Sequence, residues 1–309
     1  MKIYHHIDEF EPLEYAVATT GTFDGVHVGH RTILNKLTET AKNNKGESVL
    51  FTFHPHPRMV LQPDLDLSLI NSLEEKAELL KECGLDHLII HPFTKEFSRT
   101  SSLEFVRNIL VKSIGVKKLV IGYDHHFGRN REGSFEHLKE FGPVYGFDVE
   151  EIPAQDVNEV KVSSTKIRKA LLEGEIKIAN DYLTRPYRLT GFVVKGDQLG
   201  RKINFPTANI KLDDEKKLIP KDGAYAVQVR IDNGKDLKIG MCNIGYRPTV
   251  KGKTKTIEVH LLDFKEEIYG SKLTLFFADR LRNEIKFNSL EELKSQLKKD
   301  EVKCRSILA

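Results

Sequence analysis

The sequence predicts an α/β domain built on a parallel sheet, followed by a small β-barrel that ends in a helix. Three observations lead there. Up to Leu183, apolar runs of strand length alternate with amphipathic helical patterns over short connections, the pattern of a parallel sheet with right-handed crossovers. Around Leu183 to Pro186 the helical pattern stops at a proline, and β-branched residues then recur at alternating positions in TGFVV, GAYAVQV, TIEVH and LTLFF. The 309 residues also exceed one ordinary domain. The expected division is 1–184 and 185–309, with the barrel over 187 to about 280.

Composition narrows the class. Apolar residues make up 39% of the chain, enough for real cores, and a formal charge of +3 suits polyanionic nucleotides without the clustered basic stripe of a nucleic-acid binder. Cys83, Cys242 and Cys304 are scattered, with no CxxC pair, which suits a reducing compartment and argues against a disulfide frame or a structural zinc. The opening MKIYHHIDEFEP lacks an apolar core of signal-peptide length, and no run approaches the ~20 apolar residues of a membrane span. The expectation is a cytoplasmic protein that binds neither membrane nor nucleic acid.

The first strand, Tyr15 to Ala18, leads into GTFDGVHVGH (Gly21–His30) and then into a helical pattern carried by Ile33, Leu34, Leu37 and Ala41. Gly21, Gly25 and Gly29 let the backbone approach a ligand, and the helix start offers unpaired N–H groups and partial positive charge, so an anion is expected there. His27 and His30, three apart, can face one bound group as hydrogen-bond donors to a phosphoryl oxygen; a pair at that spacing is also half of a zinc site. Next, SVLFTF (Ser48–Phe53) reads as a buried strand running into His54–Pro57, whose prolines end it; His56 there lies where ligands collect in an open α/β sheet. Ser72 with Glu75, and Ser101 with Glu104, are capping boxes opening helices near 73–83 and 102–113. Leu88–His91 and Lys118–Gly122 read as further strands, and the second ends in GYDHHFGRNREG, where Asp124 can accept from ribose or base and Arg129 or Arg131 can face phosphate. In VSSTKIRKALLEG (Val162–Gly174), Ser163 or Ser164 caps a helix whose first turn projects Thr165 and Arg168 toward one anion.

In the second half, GFVVKGDQLGRKINFPTANI (Gly191–Ile210) lacks the GKS or GKT of a Walker A loop. On an extended backbone Thr207 and Asn209 share a face, two neutral oxygens of the kind that complete Mg²⁺ coordination beside ATP phosphates and water. Glu258 sits in an otherwise apolar strand, IEVHLLDF, where its charge has no evident structural purpose. Ser289 with Glu292 caps a last helix through LEELKSQL.

Taken whole, GTFDGVHVGH resembles the signature of the nucleotidyltransferase superfamily, and its FDGVHVGH form is similar to the FMN adenylyltransferase half of the bacterial bifunctional riboflavin kinase/FAD synthetases. The PHP step, the SSTxxR element, the PTAN stretch, MCNIGYRPTV, the Glu258 strand and IYG continue that resemblance over nearly the whole chain. It implies a Rossmann-like nucleotidyltransferase domain over 1–184 and a riboflavin kinase barrel over 185–309. It implies riboflavin, FMN, FAD and ATP/ADP as ligands, ATP as co-substrate and Mg²⁺ as cofactor. For adenylyl transfer it implies catalytic roles for His27, His30 and Arg168, and ATP contacts from Gly21, Phe23, Asp24, Gly25, His27, His30, Asp124, Ser164, Thr165 and Arg168. For the kinase it implies Glu258 as general base, metal ligands in Thr207 and Asn209, and ATP contacts from Gly200, Arg201, Lys202, Pro206, Thr207 and Asn209. His56, Arg247 and Glu258 are implied on the flavin. Two departures stand out: the family usually has phenylalanine and arginine where this chain has His125 and His126, and glycine where it has Asn204. Other readings are a chain with only one of the two activities, a metal-dependent phosphohydrolase built on His27, His30, His54, His56, His125 and His126, or a flavin-binding regulator that turns nothing over.

Overall fold

A computed structural model describes residues 1–153, 162–196, 203–249 and 252–309, the side chains of 247–249 and 252–254 excepted. It divides into two compact units, Met1–Ser163 and Ser164–Ala309.

In the first unit, β1 (Lys2–Tyr4), β2 (Ala16–Thr20), β3 (Glu47–His54), β4 (His87–Pro92), β5 (Val116–Gly122) and β6 (Asp148–Ile152) form one parallel sheet in the order β1-β4-β3-β2-β5-β6. Strand period places alternate residues in two separate cores. Val17, Leu50, Leu88 and Val120 face α1 (Val28–Asn43) and α3 (Leu73–Glu82), through Leu34, Leu37, Leu79 and Leu80. Ala16, Ala18, Phe51 and Ile89 face the opposite side, where the helix that opens as α4 (Ser102–Glu104) runs on as a π-wound segment, Phe105–Ile114, beside α5 (Phe135–Tyr145). A sheet covered on both faces gives the unbroken apolar runs that the sequence shows, and both expected capping boxes form, at Ser72/Glu75 and Ser101/Glu104. The prolines after β3 do more than end it: α2 (Pro57–Leu61) starts there, with His56 as its cap.

The second unit opens with two helices, α6 (Ser164–Glu173) and α7 (Ile176–Leu183). Its strands β7 (Tyr187–Val194), β8 (Ala208–Leu212), β9 (Gly223–Ile231), β10 (Leu237–Thr249), β11 (Gly252–Leu261) and β12 (Lys272–Arg282) close into an antiparallel barrel, β10-β11-β8-β7-β12-β9. The compact division falls earlier than the 184/185 boundary expected from sequence, because α6 and α7 are bonded to the barrel. The Asn180 amide donates to the Phe277 carbonyl at 2.8 Å and accepts from the Tyr187 N–H at 2.7 Å, Lys221 N–H donates to the Leu171 carbonyl at 3.0 Å, and Lys177 pairs with Asp279 at 3.1 Å. The last helix, α8 (Leu290–Leu308), is capped by Ser289 as expected and packs Leu293, Leu297 and buried Cys304 on the barrel, where Arg282 and Asp300 pair at 2.8 Å.

His91, at the end of β4, is buried against Phe97 and Phe51, at ring distances of 4.6 and 5.5 Å, with His6 at 4.7 Å. Burial first, then the neighbouring His6, pushes its pKa down to about 4 from 6.5, with Asp8 opposing. The unfolded chain therefore holds this proton more tightly than the folded one, so stability is full above the ordinary histidine pKa and is lost as pH falls toward 4. His91→Phe is expected to remove that part of the acid-side loss, read as a smaller difference in urea midpoint between neutral pH and pH 4.

Candidate active sites

The chain leaves β2 toward β3 on one side and β5 toward β6 on the other, so the carboxyl ends of β2 and β5 form a topological switch point, where an open α/β sheet has its crevice. Both glycine-bearing stretches noted in the sequence lie there. Thr20 ends β2 and its hydroxyl lies 3.2 Å from Nε2 of His125 in the loop after β5, which ties the two stretches together.

The stretch after β2 turns sharply. Phe23 (φ 47°) and Val26 (φ 39°) hold left-handed backbone that non-glycine residues avoid, beside Gly25 (φ 91°). Burial of Phe23 and Val26 offsets that cost, at roughly 1.5–3 kcal/mol per large apolar side chain. The helix begins earlier than the sequence suggested, at Val28, and His27 is its cap: Nδ1 accepts from the His30 N–H at 3.4 Å. With Nδ1 accepting, the proton of the neutral ring lies on Nε2, the tautomer that can donate to an anion. His27 and His30 stack at 3.7 Å between ring centres, and Phe23 lies against His30 at 4.6 Å. The structure thus brings together Gly21, Phe23, Gly25, His27 and His30. The Asp24 carboxylate is buried and accepts from the N–H groups of Ile70, at 3.1 and 3.2 Å, and Asn71, at 3.2 Å.

In the loop after β5, Asp124 and His126 are exposed, while His125 is half-buried and pushed down to about 4, by burial first and then by His126 and Arg131. His125, at the position of the family phenylalanine, is thus neutral at physiological pH. His56 accepts from the Arg58 N–H at 3.1 Å as the cap of α2, at the carboxyl end of β3. Ser164 and Thr165 begin α6 and Arg168 follows one turn on, within the second unit.

The barrel assembles its site by cross-strand register. Glu258 on β11 lies opposite Asn209 on β8 and Asn243 on β10, and the Thr207 hydroxyl donates to Glu258 Oε2 at 3.1 Å. Thr207 and Asn209, paired already in the sequence, are thus brought together with Glu258 from a distant strand. Gly196 makes room for Asn209, since a Cβ there would stand 2.6 Å from the carboxamide carbon. Asn204 adopts φ 63°, a left-handed conformation that suits glycine and that asparagine tolerates better than most residues. His260, two residues along the same face as Glu258, donates from Nδ1 to the Pro206 carbonyl at 2.7 Å and packs on Phe205. It went unnoticed in the sequence, although its period-2 spacing from Glu258 was the available signal. Beside this group is a cavity of about 680 Å³, lined by Phe205, Thr207, His260, Leu262, Tyr269 and Arg305 among others. Gly200, Arg201 and Lys202 lie outside the described residues, as does the side chain of Arg247 on β10.

Comparison with known proteins places each half of the chain in a family. Residues 10–166 match the FAD synthetase family and residues 183–308 match the Riboflavin kinase family. The "Bifunctional riboflavin kinase/FMN adenylyltransferase" of Escherichia coli K12 is 38% identical over 95% of this chain and 93% of its own. That of Listeria monocytogenes is 38% identical over 99% and 97%, and that of Pseudomonas fluorescens 39% over 95% and 93%. The chain belongs to the bifunctional riboflavin kinase/FMN adenylyltransferase family.

A solved structure titled as a macrolide-efflux protein from Streptococcus pneumoniae has the same fold, with a TM-score of 0.88 and 31% identity over 98% of both chains. No helix among the described residues of this family member is long and apolar enough to cross a membrane. Among the described residues no group of three or more His, Cys, Asp or Glu side chains is placed to bind a metal ion. Gly196→Ala is expected to displace the Asn209 amide and weaken ATP binding at the barrel roughly tenfold, the equivalent of about 1.4 kcal/mol, in calorimetric titration with Mg²⁺ present.

Proposed function

We propose that the protein converts riboflavin to FAD in two ATP-dependent steps: phosphorylation to FMN in a riboflavin kinase domain over 185–309, then adenylylation in an FMN adenylyltransferase domain over 1–184. The observation that carries the kinase step is the meeting of Thr207, Asn209 and Glu258. Glu258 takes the proton of the riboflavin 5′-hydroxyl as that oxygen bonds to the γ-phosphorus of ATP and the bond to the β–γ bridging oxygen breaks, releasing ADP. Thr207 and Asn209 present hard neutral oxygens beside that carboxylate, a donor set that fits Mg²⁺. When bound, Mg²⁺ neutralises charge on the ATP phosphates. Thr207 also orients Glu258 through their hydrogen bond. The neighbouring cavity takes the nucleotide, with Pro206 and the glycine and basic residues 200–202 on its phosphates, while Arg247 serves the flavin.

In the second step an FMN phosphate oxygen attacks the α-phosphorus of ATP and pyrophosphate leaves. Little bond chemistry falls to the protein, which holds two anions in line and stabilises the developing charge. His27 and His30 donate to the transferring phosphoryl group, Gly21 and Gly25 open the backbone to it, and His56 faces the flavin. Asp124 accepts from the nucleoside. Ser164, Thr165 and Arg168 supply hydroxyls, a helix start and a guanidinium to the triphosphate. The soluble setting that fits these substrates is the cytoplasm.

Chromatography of the flavins formed from riboflavin, ATP and Mg²⁺ tests both steps at once. Wild type is expected to make FMN and then FAD. Glu258→Ala is expected to lose roughly 10²–10⁴-fold in riboflavin phosphorylation while still converting supplied FMN. His30→Ala is expected to accumulate FMN, with adenylylation down about 10²–10³-fold. A wild type that stops at FMN would leave only the kinase standing.

A further inference from the structure

Neither step above uses Lys76, yet it is the lysine buried beneath the histidine-bearing turn. It sits on α3 with 8% of its surface exposed, and its Nζ donates to the Thr22 carbonyl at 2.9 Å. The effective penalty for placing a cation inside a protein is several kcal/mol, and burial pushes the Lys76 pKa down while the charge of Asp24 opposes the fall. A leucine would fill α3 without that cost, so the ammonium has a purpose that packing does not supply.

Its partner indicates the purpose. Thr22 precedes Phe23, whose left-handed backbone puts its ring on His30, and His30 stacks on His27. A left-handed conformation costs a non-glycine residue roughly 1–2 kcal/mol, so Phe23 and Val26 stay as they are only where neighbours over-determine them. The segment leading into α3 grips the turn twice. Ile70 and Asn71 N–H groups hold the Asp24 carboxylate, and Lys76 holds the Thr22 carbonyl, which also receives a longer bond of 3.4 Å from Thr52. The capping box of Ser72 and Glu75 in turn anchors the start of α3.

We infer that Lys76 is a positioning residue for adenylyl transfer, fixing the Thr22–Phe23 backbone so that the Phe23–His30–His27 stack presents its imidazoles to the phosphoryl group. The inference rests on the adenylyl assignment above, and its test separates the two. In full-length Lys76→Met, which keeps the length and loses the ammonium, histidine ring resonances are compared with wild type by two-dimensional NMR, using His27→Ala and His30→Ala spectra for assignment. FAD formation from supplied FMN is measured on the same samples, with riboflavin phosphorylation as the internal measure of an intact chain.

The expected result is movement of the His27 and His30 resonances and an adenylyl kcat reduced about 10–100-fold at saturating ATP and FMN. Kinase turnover should stay within about twofold, and Lys76→Arg should recover part of the loss. Unmoved resonances, or an adenylyl kcat within about twofold of wild type below a lowered melting temperature, would reduce Lys76 to a structural role and overturn the inference. A wild type that makes no FAD would sink the adenylyl assignment, and the ring resonances would still decide whether Lys76 holds the stack.

Discussion

The sharp turn at the carboxyl end of β2 needs backbone that ordinary residues avoid, and the constraint falls on residues 21–26. Phe23 and Val26 accept left-handed conformations there because their side chains are fully enclosed and because the neighbouring segment binds the turn from beneath. The histidines follow from that arrangement: one caps α1, the other stacks on it, and the ring of Phe23 closes the stack. Asp24 illustrates the same dependence. Its carboxylate holds backbone N–H groups of Ile70 and Asn71 and so helps to fix the shape of the turn.

The barrel solves a similar chemical problem with a different constraint. Antiparallel register is its organising rule, because residues paired across strands project to one face. Asn209, Glu258 and Asn243 sit in one cross-strand row, and Thr207 reaches Glu258 from just before β8. A one-residue slip of β11 against β8 would turn Glu258 to the other face and separate it from Thr207. The site therefore depends on the whole closed barrel rather than on a local loop, and the close approach of Gly196 to Asn209 shows how little slack the register leaves.

The helix α6 opens the second compact unit, and the helical pair that it begins is bonded to the barrel through Asn180, Leu171 and Lys177. The FAD synthetase match ends at residue 166 and the Riboflavin kinase match begins at 183, so this pair largely lies between the two families' territories. Packing and function need not share a boundary: compactness follows where apolar surface and backbone groups find partners, whereas a site is defined by the ligand it meets.

The sequence alone determined what depends on local pattern. Alternating apolar periods gave away the parallel sheet and the barrel, the capping boxes of Ser72 and Ser101 marked helix starts, and the motif strings pointed to His27, His30, Thr207, Asn209 and Glu258 before any geometry was known. Those features are written in spacings of two, three or four residues, which a linear reading can see. Tertiary structure decided the rest. The inward turn of Asp24, the burial of Lys76 under Thr22 and the neutral state of His125 depend on segments about fifty residues or more apart in the chain. Burial and pKa belong to the assembled surroundings of a side chain, and no spacing along the sequence encodes them.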